Sequence, residues 1–169
     1  ITAPSPISAL ALELGLPLAC PENISEPQFV AELTALQPDL IITASYGGML
    51  GKGLRKAARL GAINLHPSLL PHYRGASPIQ ETLRNGDSFT GISIFQLSAR
   101  MDAGPIYSQK AFTIGASENY GELHDRLAVE ASVMLLELLE QMQSAELCPT
   151  PQDDAEASYC HKIEKQDML

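Results

Sequence analysis

The chain has 169 residues, 45% of them apolar and 18% charged, which is enough to bury one domain core and excludes a disordered or fibrous polypeptide. Asp and Glu number 20 against 11 Lys and Arg, a formal net charge of −9. That balance excludes a stand-alone nucleic-acid binder, which needs clustered cations, but not a nucleic-acid substrate gripped by another part of a protein. No apolar run approaches the roughly 18 residues of a membrane span, so no membrane partner is expected.

In chain order, Ser5 is placed to cap a helix with Pro6 at its first position and Gly15 at its stop. Ser25 and Gln28 read as a capping box, with Pro27 in the first turn of a helix running to about Leu36. Pro38 ends it, and the β-branched run 39–44 reads as a buried parallel strand followed by the Ser45-Tyr46-Gly47-Gly48 loop. A basic helix over 54–60 is expected to stop at Gly61, with a second strand over 62–66. A loop spans 67–74, and Ser77-Pro78 opens a helix that Asn85-Gly86 closes. Strands at 90–97 and 105–112 flank a tight turn at 99–104 and are expected to pair. The pattern over 117–143 is helical, with Leu123, Leu127, Leu135, Leu138, Leu139 and Met142 as its buried face. Residues 145–157 form a connector containing Pro and acidic residues. Alternating strands and helices predict an α/β domain with a mostly parallel sheet, flanking helices and an antiparallel excursion.

The chemistry gathers at Asn64-Leu65-His66-Pro67. Residues two apart in a strand share a face, so Asn64 and His66 project together at the carboxyl end of a parallel strand, where open α/β sheets hold ligands. An amide beside an imidazole can stabilise an oxyanion, although a short Asn-x-His motif is more often a polar strand end. Asp102, in the turn Arg100-Met101-Asp102-Ala103-Gly104-Pro105, is by itself a turn residue. Beside His66 it would orient the imidazole and keep it charged. Arg100 is placed to compete for that carboxylate.

Other readings fall away. Ser68 lacks the Gly-x-Ser-x-Gly elbow of a nucleophile. His66 with His72, and Cys148 with Cys160-His161, lack zinc-ligand spacing, so no metal is expected. Cys20, Cys148 and Cys160 form no CxxC pair and are an odd set for disulfides, which favours a reducing compartment. His124 reads as a surface helix residue. The glycines at 47, 48, 51 and 53 match no phosphate fingerprint. Lys52, Arg55, Lys56 and Arg59 form a basic face, by default solvated and alternatively a contact for a tRNA backbone.

The run Asn64-Leu65-His66-Pro67-Ser68-Leu69-Leu70-Pro71, then Tyr73-Arg74-Gly75-Ala76-Ser77-Pro78-Ile79-Gln80, then Met101-Asp102-Ala103-Gly104-Pro105, resembles the folate-dependent formyltransferases, best the branch acting on methionyl initiator tRNA. Gly15-Leu16-Pro17, Ser45-Tyr46-Gly47, Ser158-Tyr159 and Lys162-Ile163 are similar to the same branch. Gly51, where that branch often has proline, and Arg100, where a small residue is frequent, depart from it. The resemblance implies a Rossmann-like α/β formyltransferase fold and a catalytic group of Asn64, His66 and Asp102. It also implies a tetrahydrofolate site lined by Ser68, Leu69, Leu70 and Pro71, completed by Ser45, Tyr46 and Gly47. The donor would be 10-formyltetrahydrofolate and the acceptor the α-amine of methionine on initiator tRNA, in the cytoplasm. A protonated His66 and Asn64 would donate to the oxyanion, with neither metal nor covalent intermediate. The alternative acceptor is an amino sugar or another small amine, and a non-catalytic folate-binding remnant is a further alternative.

The chain opens on Ile1 and is read as a segment of something longer. The expected division is a catalytic domain over 1–147, without the family's first strand–helix unit, and a connector over 148–169 leading toward a tRNA-gripping domain. An open sheet edge would follow, and with it self-association by strand pairing.

Overall fold

A computed structural model describes residues 5–145 and 147–163. Five α-helices are present among the described residues: α1 (Pro6–Glu13), α2 (Pro27–Ala35), α3 (Lys52–Arg55), α4 (Pro78–Arg84) and α5 (Tyr120–Ser144). The strands are β1 (Ile41–Ala44), β2 (Ala62–His66), β3 (Arg74–Gly75), β4 (Phe89–Gln96), β5 (Ile106–Thr113) and β6 (Tyr159–Cys160).

The main sheet has the order β1-β2-β4-β5. β1 pairs with β2 in parallel, while β2–β4 and β4–β5 are antiparallel. The α/β class and the flanking helices are as expected. The sheet is mixed, because the antiparallel hairpin supplies half of its described strands. A second, two-stranded parallel pairing joins β3 to β6, Arg74 opposite Tyr159 and Gly75 opposite Cys160.

Alternation along the strands sends apolar side chains to both faces. Ile63, Ile92 and Ile94 pack with Ile79 of α4 and with Leu123, Leu127, Met134 and Leu138 of α5. Met134 belongs to this stripe, whereas the expected Leu139 is half-buried outside it; Leu135 and Met142 pack at its margin. On the opposite face Ala62, Leu50 and Leu54 pack with Phe29, Val30 and Leu33 of α2.

Ser5 caps α1 by accepting from the Ser8 amide at 3.2 Å, and Asn119 caps α5 in a full capping box with Glu122. Two local expectations are corrected. The α2 cap is Glu26 without a side-chain bond, because Ser25 is held one residue earlier by its own amide donating to Asn23 Oδ1 at 2.9 Å. The basic helix is one turn, Lys52–Arg55, because the amides of Arg59 and Leu60 donate instead to the carbonyls of Pro38 and Asp39.

Residues 148–163, set apart above as a connector, pack back onto this body. Thr150 bridges to Ile106, and Ser158 and Cys160 accept from the amides of Arg74 and Ala76. The remainder of that segment, 164–169, lies outside the described residues.

Candidate active site

At the carboxyl ends of β1 and β2, Asn64 and His66 share one face of β2. The β4 partners on that face are Phe95, opposite Asn64, and Ser93, opposite His66. The β4–β5 turn brings Asp102 back over the same strand end, with its Oδ2 3.8 Å from His66 Nδ1. The three residues line a cavity of about 380 Å³ together with the Ser45-Tyr46-Gly47 loop. Ser45 itself has a left-handed backbone, φ 53°, which turns the loop sharply out of β1.

Each polar group has a defined anchor. Thr43 Oγ1 donates to Asn64 Oδ1 at 2.7 Å, occupying the amide oxygen. Asn64 Nδ2 has no partner among the described residues and is available to the cavity. His66 Nε2 meets the Tyr73 carbonyl at 2.8 Å. A carbonyl only accepts, so Nε2 carries the proton and Nδ1 is the nitrogen turned toward Asp102. Tyr73 reaches this position through a left-handed φ of 57°, with its amide held by Ser158 Oγ at 2.9 Å. Asp102 is also left-handed, φ 47°, and its Oδ2 accepts from the Gly75 amide at 2.8 Å.

These contacts bear on the expected charge state. Burial pushes the His66 pKa below its ordinary 6.5, opposed by the Asp102 carboxylate and by the Tyr73 carbonyl. At 3.8 Å the carboxylate attracts an imidazolium without hydrogen-bonding it. Burial thus favours the neutral imidazole over a standing cation, with Nδ1 turned toward the carboxylate. Arg100 does not compete for Asp102; its Nη1 bonds Asp154 Oδ2 at 2.7 Å.

Ser68, Leu69, Leu70 and Pro71 follow Pro67, which lines the cavity. Ser68 and Leu70 are buried, stitched to β4 by Ser93 Oγ, which donates to the Ser68 carbonyl and accepts from the Leu70 amide. Leu69 lies over Gly91, where any Cβ would come within 2.2 Å of it. The Pro71 carbonyl accepts from the Ser158 amide. The segment leads to Tyr73, whose carbonyl meets His66 Nε2. The basic face is also partly committed, since Arg55 binds the Leu50 and Ser98 carbonyls and Arg59 pairs with Asp39. Among the described residues no His, Cys, Asp and Glu cluster suits a metal ion.

Sequence reasoning overlooked several parts. Thr43 and the Gly75 amide carry no motif of their own. Tyr120 and His124 lie tilted to each other with ring centroids 5.7 Å apart, and His124, exposed on α5 as expected, also lines the cavity rim. Their i, i+4 spacing at a helix start was the available signal.

The cavity lies within the volume range of small-molecule sites, with an aromatic and apolar wall (Tyr46, Met49, Ile79, Met101) and a few convergent polar groups. That composition suits a small molecule with an apolar face and a few polar groups. Comparison with known proteins agrees. The chain is 44% identical over 98% of its length to a protein named methionyl-tRNA formyltransferase from Nitratidesulfovibrio vulgaris, and spans about half (50%) of that relative. A phosphoribosylglycinamide formyltransferase from Bacillus halodurans superposes with a TM-score of 0.74 at 25% identity, over 86% of this chain and 79% of that one. The formyltransferase PseJ from Anoxybacillus kamchatkensis, solved with a formamido sugar nucleotide and tetrahydrofolate, superposes at 0.65 with 26% identity, over 73% of this chain and 64% of that one. The family described as Formyl transferase matches residues 5–139, most of the chain, and on that match this chain belongs to the formyl transferase family.

Proposed function

We propose that this chain carries the catalytic centre for transfer of a formyl group from 10-formyltetrahydrofolate to the α-amine of methionine esterified to initiator tRNA. The observation that carries the chemistry is a buried imidazole whose Nε2 is given to a carbonyl and whose Nδ1 faces a carboxylate, beside an amide nitrogen without a partner among the described residues. The acceptor is argued from the 44% identity to a methionyl-tRNA formyltransferase. The donor is argued from the tetrahydrofolate bound by the similar PseJ.

In this reading the amine attacks the formyl carbon and the carbonyl electrons move onto oxygen. Asn64 Nδ2 donates to that oxyanion. His66 Nδ1 takes the amine proton, and Asp102 stabilises the imidazolium as it forms. The bond from carbon to N10 of the folate then breaks, and the same proton returns to N10. Ser45, Tyr46 and Gly47 flank the donor's ring; the tRNA body is held by parts of the protein beyond residues 148–169. A cytoplasmic site of action goes with this reading.

The test is formyl transfer to methionyl initiator tRNA by the protein as its gene encodes it, with an amino-sugar nucleotide as competing acceptor. His66→Ala is expected to lower kcat by about 10²–10⁴, the usual contribution of a general base. Equal turnover by that variant sinks the assignment, and preference for the sugar replaces the acceptor.

A further inference from the structure

Nothing in the chemistry above uses Arg74, yet only 1% of it is exposed. A guanidinium keeps its charge in a protein, so each buried donor needs a partner. Its Nε and Nη2 donate to Gln152 Oε1 at 3.1 and 2.8 Å. Nη2 also donates to Asp154 Oδ1 at 2.9 Å, and Nη1 to the Tyr159 hydroxyl at 3.3 Å.

With its oxygen taken by the guanidinium, the Gln152 amide presents its nitrogen on the far side. That nitrogen donates to the carbonyls of Asp102 and Gly104, at 2.8 and 2.7 Å. The two carbonyls bracket the turn in which Asp102 holds its left-handed backbone. The Asp102 carboxylate is anchored separately, by the amide of Gly75, the residue after Arg74. Both ends of Asp102 are thus tied to one buried arginine and its strand.

We propose that Arg74 and Gln152 are positioning residues, which fix the Asp102 and Gly104 carbonyls and so hold the Asp102 carboxylate against His66. The proposal rests on the formyl-transfer reading for its kinetic consequence. Neutralising Arg74 does not require Gln152: an amide carries no charge, and Asp154 already supplies a carboxylate. What Gln152 adds is a pair of donors aimed at the catalytic turn. A carboxylate in its place would serve Arg74 better and the turn worse, which separates positioning from scaffolding.

The experiment uses Gln152→Glu and Gln152→Met in the protein as its gene encodes it. Gln152→Glu keeps a strong partner for Arg74 but sets an acceptor against the Asp102 and Gly104 carbonyls, whereas Gln152→Met removes both donors without that repulsion. In both variants kcat is expected to fall by about tenfold to a hundredfold, the scale of a small misplacement of a catalytic group. The KM for the folate donor is expected to change less than about twofold, as for an interaction realised in the transition state. Titration of His66 by NMR gives a readout that needs no substrate. The imidazole faces the Asp102 carboxylate, the Tyr73 carbonyl and the edge of Phe95. Gln152→Met, which adds no charge, is expected to release the carboxylate and move the titration to lower pH. Parent-like kcat in either variant, or a parent-like His66 titration in Gln152→Met, overturns the proposal; so does unfolding of both at assay temperature, which would make Gln152 scaffold. A parent without formyl transfer sinks the reading above alone and leaves the brace to be decided by the titration.

Discussion

A histidine with 5% of its side chain exposed, one nitrogen given to a carbonyl, meets protons only through the other nitrogen. Its folded pKa lies below 6.5 and its unfolded value near it, so between the two the unfolded chain binds more protons. His66 therefore leaves stability intact above the unfolded value and erodes it as pH falls through that window. Melting curves are expected to show the parent losing stability relative to His66→Gln between about pH 7 and pH 5; a constant difference counts against a neutral His66. Asp102→Asn removes the charge that raises His66, so the acid limb of the pH–rate profile is expected to move to lower pH while kcat drops by about a hundredfold. The pairing of Asn64 with His66 was legible because strand alternation is a rule of period two. The protonation state was not, because Phe95, Tyr73 and the 3.8 Å gap to Asp102 come from distant parts of the chain. The packing of Ser68 to Pro71 was illegible for a related reason. The loop's main chain is tied to β4 through Ser93, a contact that no motif announces.

At the scale of elements, the short β3–β6 pairing determines where Asp102 sits. Gly75 has φ 121°, and a Cβ there would fall 2.1 Å from the Cys160 carbonyl oxygen. Gly75→Ala is expected to cost about 1–3 kcal/mol from backbone strain, before any loss of the pairing itself, as measured by urea unfolding. A variant as stable as the parent would mean that β6 is free to shift. Gly104 is similarly constrained, since a Cβ there would meet the Gln96 carbonyl at 1.7 Å. Helices with strong end signals, such as α1 with Ser5 and Pro6 or α4 with Pro78, were readable in the sequence. α3 was not, because amides that would extend it are captured by Pro38 and Asp39, twenty residues upstream in the chain and adjacent in the fold. β3 and β6, two residues each, have too little pattern to be read.

Across the whole molecule, apolar surface is unevenly placed. α1 has no buried residue, and Leu10, Leu12, Leu14 and Leu16 are each more than half exposed. β1 ends the described sheet with Ile42 at 41% exposure. An edge strand unpaired among the described residues, together with these exposed leucines, favours pairing between copies, against the mutual repulsion of a −9 net charge. Residues 1–169 expressed alone are expected to self-associate, more strongly at high salt; light scattering showing a clean monomer at high concentration would refute this.

The parallel pairing of Arg74 with Tyr159 has a consequence for synthesis. A chain emerging from the ribosome presents Asn64, His66 and Asp102 well before Gln152 and β6 appear. The hairpin that carries Asp102 can form early, from contacts close in sequence, but its clamp closes across more than eighty intervening residues. Until then the Asp102 turn lacks the partners that offset its backbone strain. A nascent chain would therefore acquire its sheet first and the approach of Asp102 to His66 last, and a protease or chaperone acting in that interval would meet a sheet already formed with that turn still loose.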